Sequence, residues 1–126
     1  MKSFVADFET TTDPENCYVW AYAICEVASY DQSENNVIIG TNIDDFMDWC
    51  EKQGNEKIYF HNLKFDGQFI INWLFDHGFE YIDHPHKRKT RSFTTLISDK
   101  GMWYSIEVFF KSKGKNVNKI TFQDSL

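Results

Sequence analysis

At 126 residues the chain has room for one domain with a substantial core. Its 42% hydrophobic and 25% charged residues are not the composition of a disordered chain, and no apolar run nears the roughly 18 residues of a membrane helix. The formal net charge of −6 argues against a uniformly basic nucleic-acid binder, but it is unevenly spread: 2 basic against 12 acidic residues up to Glu56, then 11 basic against 7 acidic from Lys57 on.

In chain order, Ser3 to Glu9 is an apolar, β-prone run that reads as a buried strand, and acidic residues so early do not fit a signal peptide. Thr10 to Asn16, with Pro14, reads as a turn. Cys17 to Tyr30 is aromatic and β-branched enough for a second strand, and Asn36 to Gly40 for a third. Asn42 to Cys50 has helical spacing, with Phe46, Trp49 and Cys50 on one face and an acidic first turn that suits the helix dipole. Lys57 to Phe60 is a short buried strand. Phe65 to His77 then sets Phe69, Ile70, Trp73 and Leu74 at helical spacing before Gly78 stops the helix. Phe93 to Ile97, Trp103 to Phe110 and Lys119 to Phe122 read as strands, the first two joined as a hairpin through Asp99-Lys100-Gly101. Trp20, Trp49, Trp73 and Trp103 are expected in the core. Cys17, Cys25 and Cys50 lack Cys-x-x-Cys spacing and read as reduced, mostly buried thiols of a cytosolic protein. No repeat, low-complexity tract or linker divides the chain, which predicts one domain over 1–126.

Chemistry is concentrated in two places. Asp7 and Glu9 lie two residues apart on the first strand, so both carboxylates emerge on one face while Phe8 packs on the other. Alone, an Asp-x-Glu of this kind is ordinarily a solvated edge or a helix cap. The second place is Asn62-Leu63-Lys64-Phe65-Asp66, which follows an apolar strand and opens an amphipathic helix, adding a third carboxylate from a separate element. Clustered carboxylates are the ligands that hard divalent ions such as Mg²⁺ take, singly or in pairs. The basic clusters, Lys87-Arg88-Lys89 with Arg91 and Lys111, Lys113, Lys115 and Lys119, read most simply as solvated loops. A metal-assisted nuclease needs no strongly basic body, because bound cations bring positive charge to the phosphate.

On these residues the chain resembles the N-terminal part of the 3′→5′ exonuclease domain of protein-primed family B DNA polymerases of small tailed phages. Asp7-Phe8-Glu9 matches the first exonuclease motif of that family and Asn62 to Asp66 the second. Further similarity runs through Val19 to Tyr22, Tyr59 to His61, Gly67 with Phe69 to Leu74, and Asp124 to Leu126; 83–95 is the least similar stretch. The resemblance implies an α/β, RNase H-like fold of the DnaQ exonuclease type with a mixed central sheet, truncated before its last helices. The order of three strands, a helix, a strand and a helix agrees with that fold. It implies Asp7, Glu9 and Asp66 as catalytic metal ligands for two Mg²⁺ or Mn²⁺ ions that hydrolyse 3′-terminal phosphodiesters of single-stranded DNA. It implies that Thr10, His61, Asn62, Phe65 and Phe69 hold the single strand and that Tyr59 helps to place the primer terminus. Ser125 and Leu126 match the start of a further motif that contacts single-stranded DNA and the terminal protein. The implied partners are therefore a DNA 3′ end, the terminal protein and the polymerase domain of a full-length relative. The implied setting is a phage or prophage protein in a bacterial cytoplasm, with no membrane.

The residues also allow plainer roles. Phe69, one turn into a helix, serves equally as core; His61 and Tyr59 beside a buried strand suit structural packing; and Asp124 suits a turn or cap. The family's third motif, Tyr-x-x-x-Asp, has no counterpart within the 126 residues, and the polymerase domain is absent from them. The sequence thus predicts a partial exonuclease domain, with a catalytically incomplete single-strand binding module as the competing reading.

Overall fold

A computed structural model describes residues 2–27 and 36–125. Among them, the chain runs β1 (Ser3–Thr10), β2 (Val19–Glu26), β3 (Val37–Gly40), α1 (Ile43–Lys52), β4 (Glu56–Phe60), α2 (Leu63–Asp76), β5 (Glu80–Tyr81), a single 3-10 turn (Pro85–Lys87), β6 (Ser92–Ile97), β7 (Trp103–Lys113) and β8 (Asn116–Asp124). The strands form one eight-stranded sheet in the order β3-β2-β1-β4-β8-β7-β6-β5. It is mixed as expected: β1 runs antiparallel to β2 but parallel to β4, and β4 is parallel to β8. No helix among the described residues is long and apolar enough to cross a membrane.

Period-two alternation sends Phe4, Ala6 and Phe8 of β1, Ile58 and Phe60 of β4, Ile120 and Phe122 of β8, and Ile106 and Val108 of β7 to the same face. Both helices cover that face. Phe46 of α1 is fully buried there, edge-on to Phe8 at 4.9 Å and to Tyr22 at 5.4 Å, and close to Phe60 and Phe122. α1 starts where Asn42 accepts the Asp45 N–H at 2.8 Å. The helix following β4 ends at Gly78, whose positive φ of 79° a β-carbon would resist.

The structure corrects several expectations. β1 is interior to the sheet, but only one of its faces is buried; on the other, Val5 is 47% and Ile39 of β3 75% exposed. The reason is that both helices pack on one side. The second strand begins at Val19 rather than Cys17 and ends at Glu26, and Tyr30 lies outside the described residues. Trp20 is exposed rather than in the core. Glu9 pairs with Ala21 and Thr10 with Val19, so Trp20 is the extra residue of a bulge and turns out to solvent. Trp49, Trp73 and Trp103 are partly buried against the core, Cys50 is buried and Cys17 exposed.

The last hairpin is longer than its apolar residues indicate. β7 continues to Lys113 and β8 starts at Asn116, around Gly114 at φ 61°. Thr90 secures this polar extension from a neighbouring loop by exchanging hydrogen bonds with the Ser112 backbone at 3.0 and 3.3 Å. The short β5 was not visible in the pattern.

Phe46 joins α1 to β1, β2, β4 and β8 at once. Phe46→Ala is expected to lower unfolding free energy by about 3–5 kcal/mol, read as a shift of the urea midpoint at unchanged m-value.

Candidate active site

β4 stops at Phe60, which pairs with Ala6, whereas β1 continues to Thr10. The last four residues of β1 therefore have no β4 neighbour on that edge. Asp66, in the first turns of α2, comes to this edge and accepts a hydrogen bond from the Phe8 backbone N–H. It is only 5% exposed, whereas Asp7 and Glu9 are exposed on the face opposite Phe8. The structure thus brings all three sequence-predicted carboxylates into one electrostatic group. Burial, then the nearby charge of Asp7 and of Glu9, pushes the Asp66 carboxyl up from the usual 3.8 to about 6, against the opposing pull of the Phe8 N–H.

Among the described residues no Lys or Arg forms an ion pair with any of the three, and no set of three or more His, Cys, Asp or Glu side chains is already closed to metal-ligand distance. Uncompensated carboxylates repel one another, which opposes such closure without a cation. The donor set is all carboxylate oxygen, the donor type that hard divalent ions take, and one member is buried beside like charge.

The turn between β4 and α2 has an unusual backbone. Asn62 occupies the left-handed region, with φ 68° and ψ 61°, which Asn tolerates better than most residues. Its carbonyl accepts the N–H groups of Phe65 and Asp66 at 3.1 and 3.3 Å, but its side chain makes no cap bond. That duty falls to Asp124 at the end of β8, whose carboxylate accepts the Leu63 N–H at 2.9 Å. The cap role considered for Asp124 is the one the structure shows. It leaves the Asn62 side chain, exposed like neighbouring His61, without a capping bond.

Phe65 is 44% exposed and meets Phe69 edge-on at 5.5 Å, while Phe69 also packs against the core. Thr10 sits at the bulge that ends β1. Tyr59 is half-buried and alternates with core residues Ile58 and Phe60; paired with Val5, it lies on the sheet face away from α2 and is not gathered with the phenylalanines. Ser125 donates its N–H to the Phe60 carbonyl at 2.9 Å, which places it beside His61; Leu126 lies outside the described residues.

Motif reading gave Gly67 no physical role. A β-carbon there would lie 3.0 Å from Ile106 Cδ1 and 3.3 Å from the Trp103 ring, so glycine lets α2 lie close against β7. An isolated glycine inside a helical pattern is the signal for such an approach.

The raised Asp66 pKa sets a pH dependence. In the unfolded chain Asp66 loses its proton near the usual value, but in the folded chain only near 6. Between these the folded state holds more protons, so this contribution to stability is present below about pH 4 and is lost as pH rises through about 6. With chelator present, Asp66→Asn, which keeps an acceptor for the Phe8 N–H, is expected to stabilise the protein at pH 7 by on the order of 2 kcal/mol and to have little effect at pH 4. Chemical denaturation at the two pH values checks this; equal stability of variant and wild type at pH 7 would refute burial and like charge as the cause of the raised pKa.

No family model matches the chain. It is 44% identical over 126 residues to a DNA polymerase of Bacillus phage M2, covering 99% of this chain and 20% of that protein. Its structure aligns with phi29 DNA polymerase complexed with primer-template DNA at a TM-score of 0.85 and 41% identity, covering 99% of this chain and 21% of that one. Against phi29 DNA polymerase complexed with single-stranded DNA the TM-score is 0.83 at 40% identity, with the same coverage. The chain spans about one fifth of the length of these relatives, at their N-terminal region. The mixed α/β architecture is accordingly that of an RNase H-like fold. By sequence and fold the chain is homologous to the N-terminal region of phi29-family phage DNA polymerases.

Proposed function

We propose that this chain is the N-terminal, 3′→5′ exonuclease segment of a protein-primed phage DNA polymerase, removing nucleotides from the 3′ end of single-stranded DNA. One observation carries the reading: Asp66 is held in a largely buried position against Asp7 and Glu9, where its carboxyl pKa rises to about 6. Such a concentration of uncompensated negative charge costs stability and is characteristic of functional sites. Two structures of one relative support a DNA substrate, since phi29 polymerase is seen there with primer-template and with single-stranded DNA.

In this reading Asp7, Glu9 and Asp66 would hold two Mg²⁺ or Mn²⁺ ions. When bound, the ions supply a lowered pKa for the attacking water and charge neutralisation at the leaving oxygen. The chain's own residues bind and orient. Phe65 and Phe69 offer aromatic surfaces to the last bases, each stack worth about 1–3 kcal/mol. Asn62, freed from capping by Asp124, hydrogen-bonds a base or sugar edge. Thr10, His61 and Ser125 lie at the ends of the strands that frame the site and hold the sugar-phosphate backbone. Tyr59, on the other sheet face, and Leu126 are the contacts for the primer terminus and the terminal protein of the complete polymerase. Hydrolysis forms a bond from the water oxygen to the terminal phosphorus and breaks the bond to the 3′-oxygen of the preceding nucleotide. A nucleoside monophosphate is released, and the preceding 3′-oxygen takes a proton.

A 5′-labelled single-stranded oligonucleotide incubated with the purified chain and Mg²⁺ or Mn²⁺ is expected to shorten from its 3′ end. Chelator should stop the reaction, and Asp7→Ala or Asp66→Ala should slow it by ~10²-fold or more. A folded chain that binds the oligonucleotide but never shortens it would favour the binding-module reading.

Asn62→Gly separates support from recognition. Glycine accepts φ 68° without strain, so thermal stability should be unchanged or slightly higher. Affinity for the oligonucleotide, measured by fluorescence anisotropy in chelator, should fall several-fold because the amide is gone.

A further inference from the structure

We propose that a cavity of about 390 Å³ beside the first turn of α2 is a second nucleotide subsite. It would take one internal nucleotide of the single strand whose end meets the carboxylates, and it rests on the exonuclease reading above. The residues that matter in its lining are His61, Asn62, Lys64, Lys100, Trp103 and Asp124.

The cavity is distinct from the carboxylate group. At about 100° per residue, Lys64 and Asp66 point to roughly opposite flanks of α2. Asp66 faces the edge of β1, whereas the Lys64 flank faces β7, where Trp103 packs against Gly67. The two sites share the β4–α2 turn, so His61 and Asn62 stand between them.

Its chemistry selects a nucleotide. The Lys64 ammonium reaches the β6–β7 turn, lying 3.9 Å from where a β-carbon on Gly101 would be, next to Lys100. Neither lysine forms an ion pair among the described residues. Asp124, the carboxylate in the lining, is engaged in capping Leu63 at 2.9 Å. Lys64 and Lys100 give the lining two cationic side chains against the single carboxylate of Asp124, and a phosphodiester is an anion that such a lining accepts. Trp103, half-buried, supplies a flat apolar wall on which a base stacks without sequence preference. The Asn62 amide, unused by the helix, stands at the rim for a sugar or base edge. Two lysines against one carboxylate oppose a divalent cation here, and the aromatic wall favours a nucleotide over inorganic phosphate.

The test is binding in chelator, where the carboxylate site holds no ion, using a fluorescent oligo(dT) and, separately, dTMP across a range of salt concentrations. Wild type is compared with Lys64→Ala/Lys100→Ala and with the charge-matched control Lys87→Ala/Lys89→Ala, whose lysines pair with Asp83 and Glu80 away from the cavity. All four substitutions fall on exposed side chains, and melting curves check folding. The cavity pair is expected to weaken oligo(dT) binding at least tenfold and to flatten the slope of log K against log salt by about 1.4 units, two contacts at ~0.7 each. The control pair should stay within about threefold. Unchanged affinity and slope in the cavity pair would overturn the proposal. Lysine-dependent dTMP binding as tight as that of oligo(dT) would overturn the strand assignment in favour of a free nucleotide. No oligo(dT) binding by folded wild-type chain would also overturn it, whereas the exonuclease reading is judged separately by metal-dependent cleavage and Asp7→Ala.

Discussion

A buried carboxylate held against two others is the constraint on which the rest of the structure depends. Burial and like charge both disfavour ionised Asp66, and only one backbone N–H opposes them. The fold can impose this arrangement because β4 ends opposite Ala6 while β1 runs on to Thr10. The bare strand edge must find a partner for its backbone donor, and Asp66 is that partner. The same side chain thus completes the sheet edge and creates the charge concentration a cation would relieve.

Holding Asp66 there requires α2 to be fixed at both ends. Asp124 caps its start from β8, and Gly67 lets its first turns approach Ile106 and Trp103. At the far end Trp73 donates to Asp44 of α1 at 2.7 Å and stacks on His77, and Arg91 donates to the His77 carbonyl while lying over the Phe79 ring. Apart from the Trp73–His77 stack, these ties come from outside the helix. The helix positions the site because β7, β8, α1 and the turn before β6 all grip it. This also accounts for the left-handed Asn62, since capping from a distant strand relieves that residue of the usual N-cap duty.

One-sided burial organises everything else. With both helices on one face of the sheet, the alternation of each strand divides core from surface. The carboxylates emerge from β1 on the face opposite its phenylalanines, so a stable aromatic core and a charged site occupy the same strand without competing. The acidic N-terminal half of the chain builds β1 to α1. The more basic remainder builds the strands and turns around the start of α2, bringing Lys64 and Lys100 to the side of the helix away from Asp66.

Much of this was legible in the sequence. Period-two runs identify most of the strands, helical spacing identifies α1 and α2 to within two residues, and Asp7-Phe8-Glu9 with Asn62 to Asp66 shows where carboxylates concentrate. These are local properties, fixed by side-chain periodicity and by the residues that start and stop each element. The bulge that expels Trp20, the polar end of the β7–β8 hairpin and the two-residue β5 left no local mark, because each depends on a neighbouring strand for its backbone partners. Nor could periodicity say that both helices share one face, or that Asp124 rather than Asn62 caps α2. The sequence by itself determined which groups carry charge and which strand or helix bears them. Only the tertiary structure decided that β4 stops short of β1, and that choice of register turns three ordinary carboxylates into one coupled group, because electrostatic coupling depends on distances that chain order does not contain.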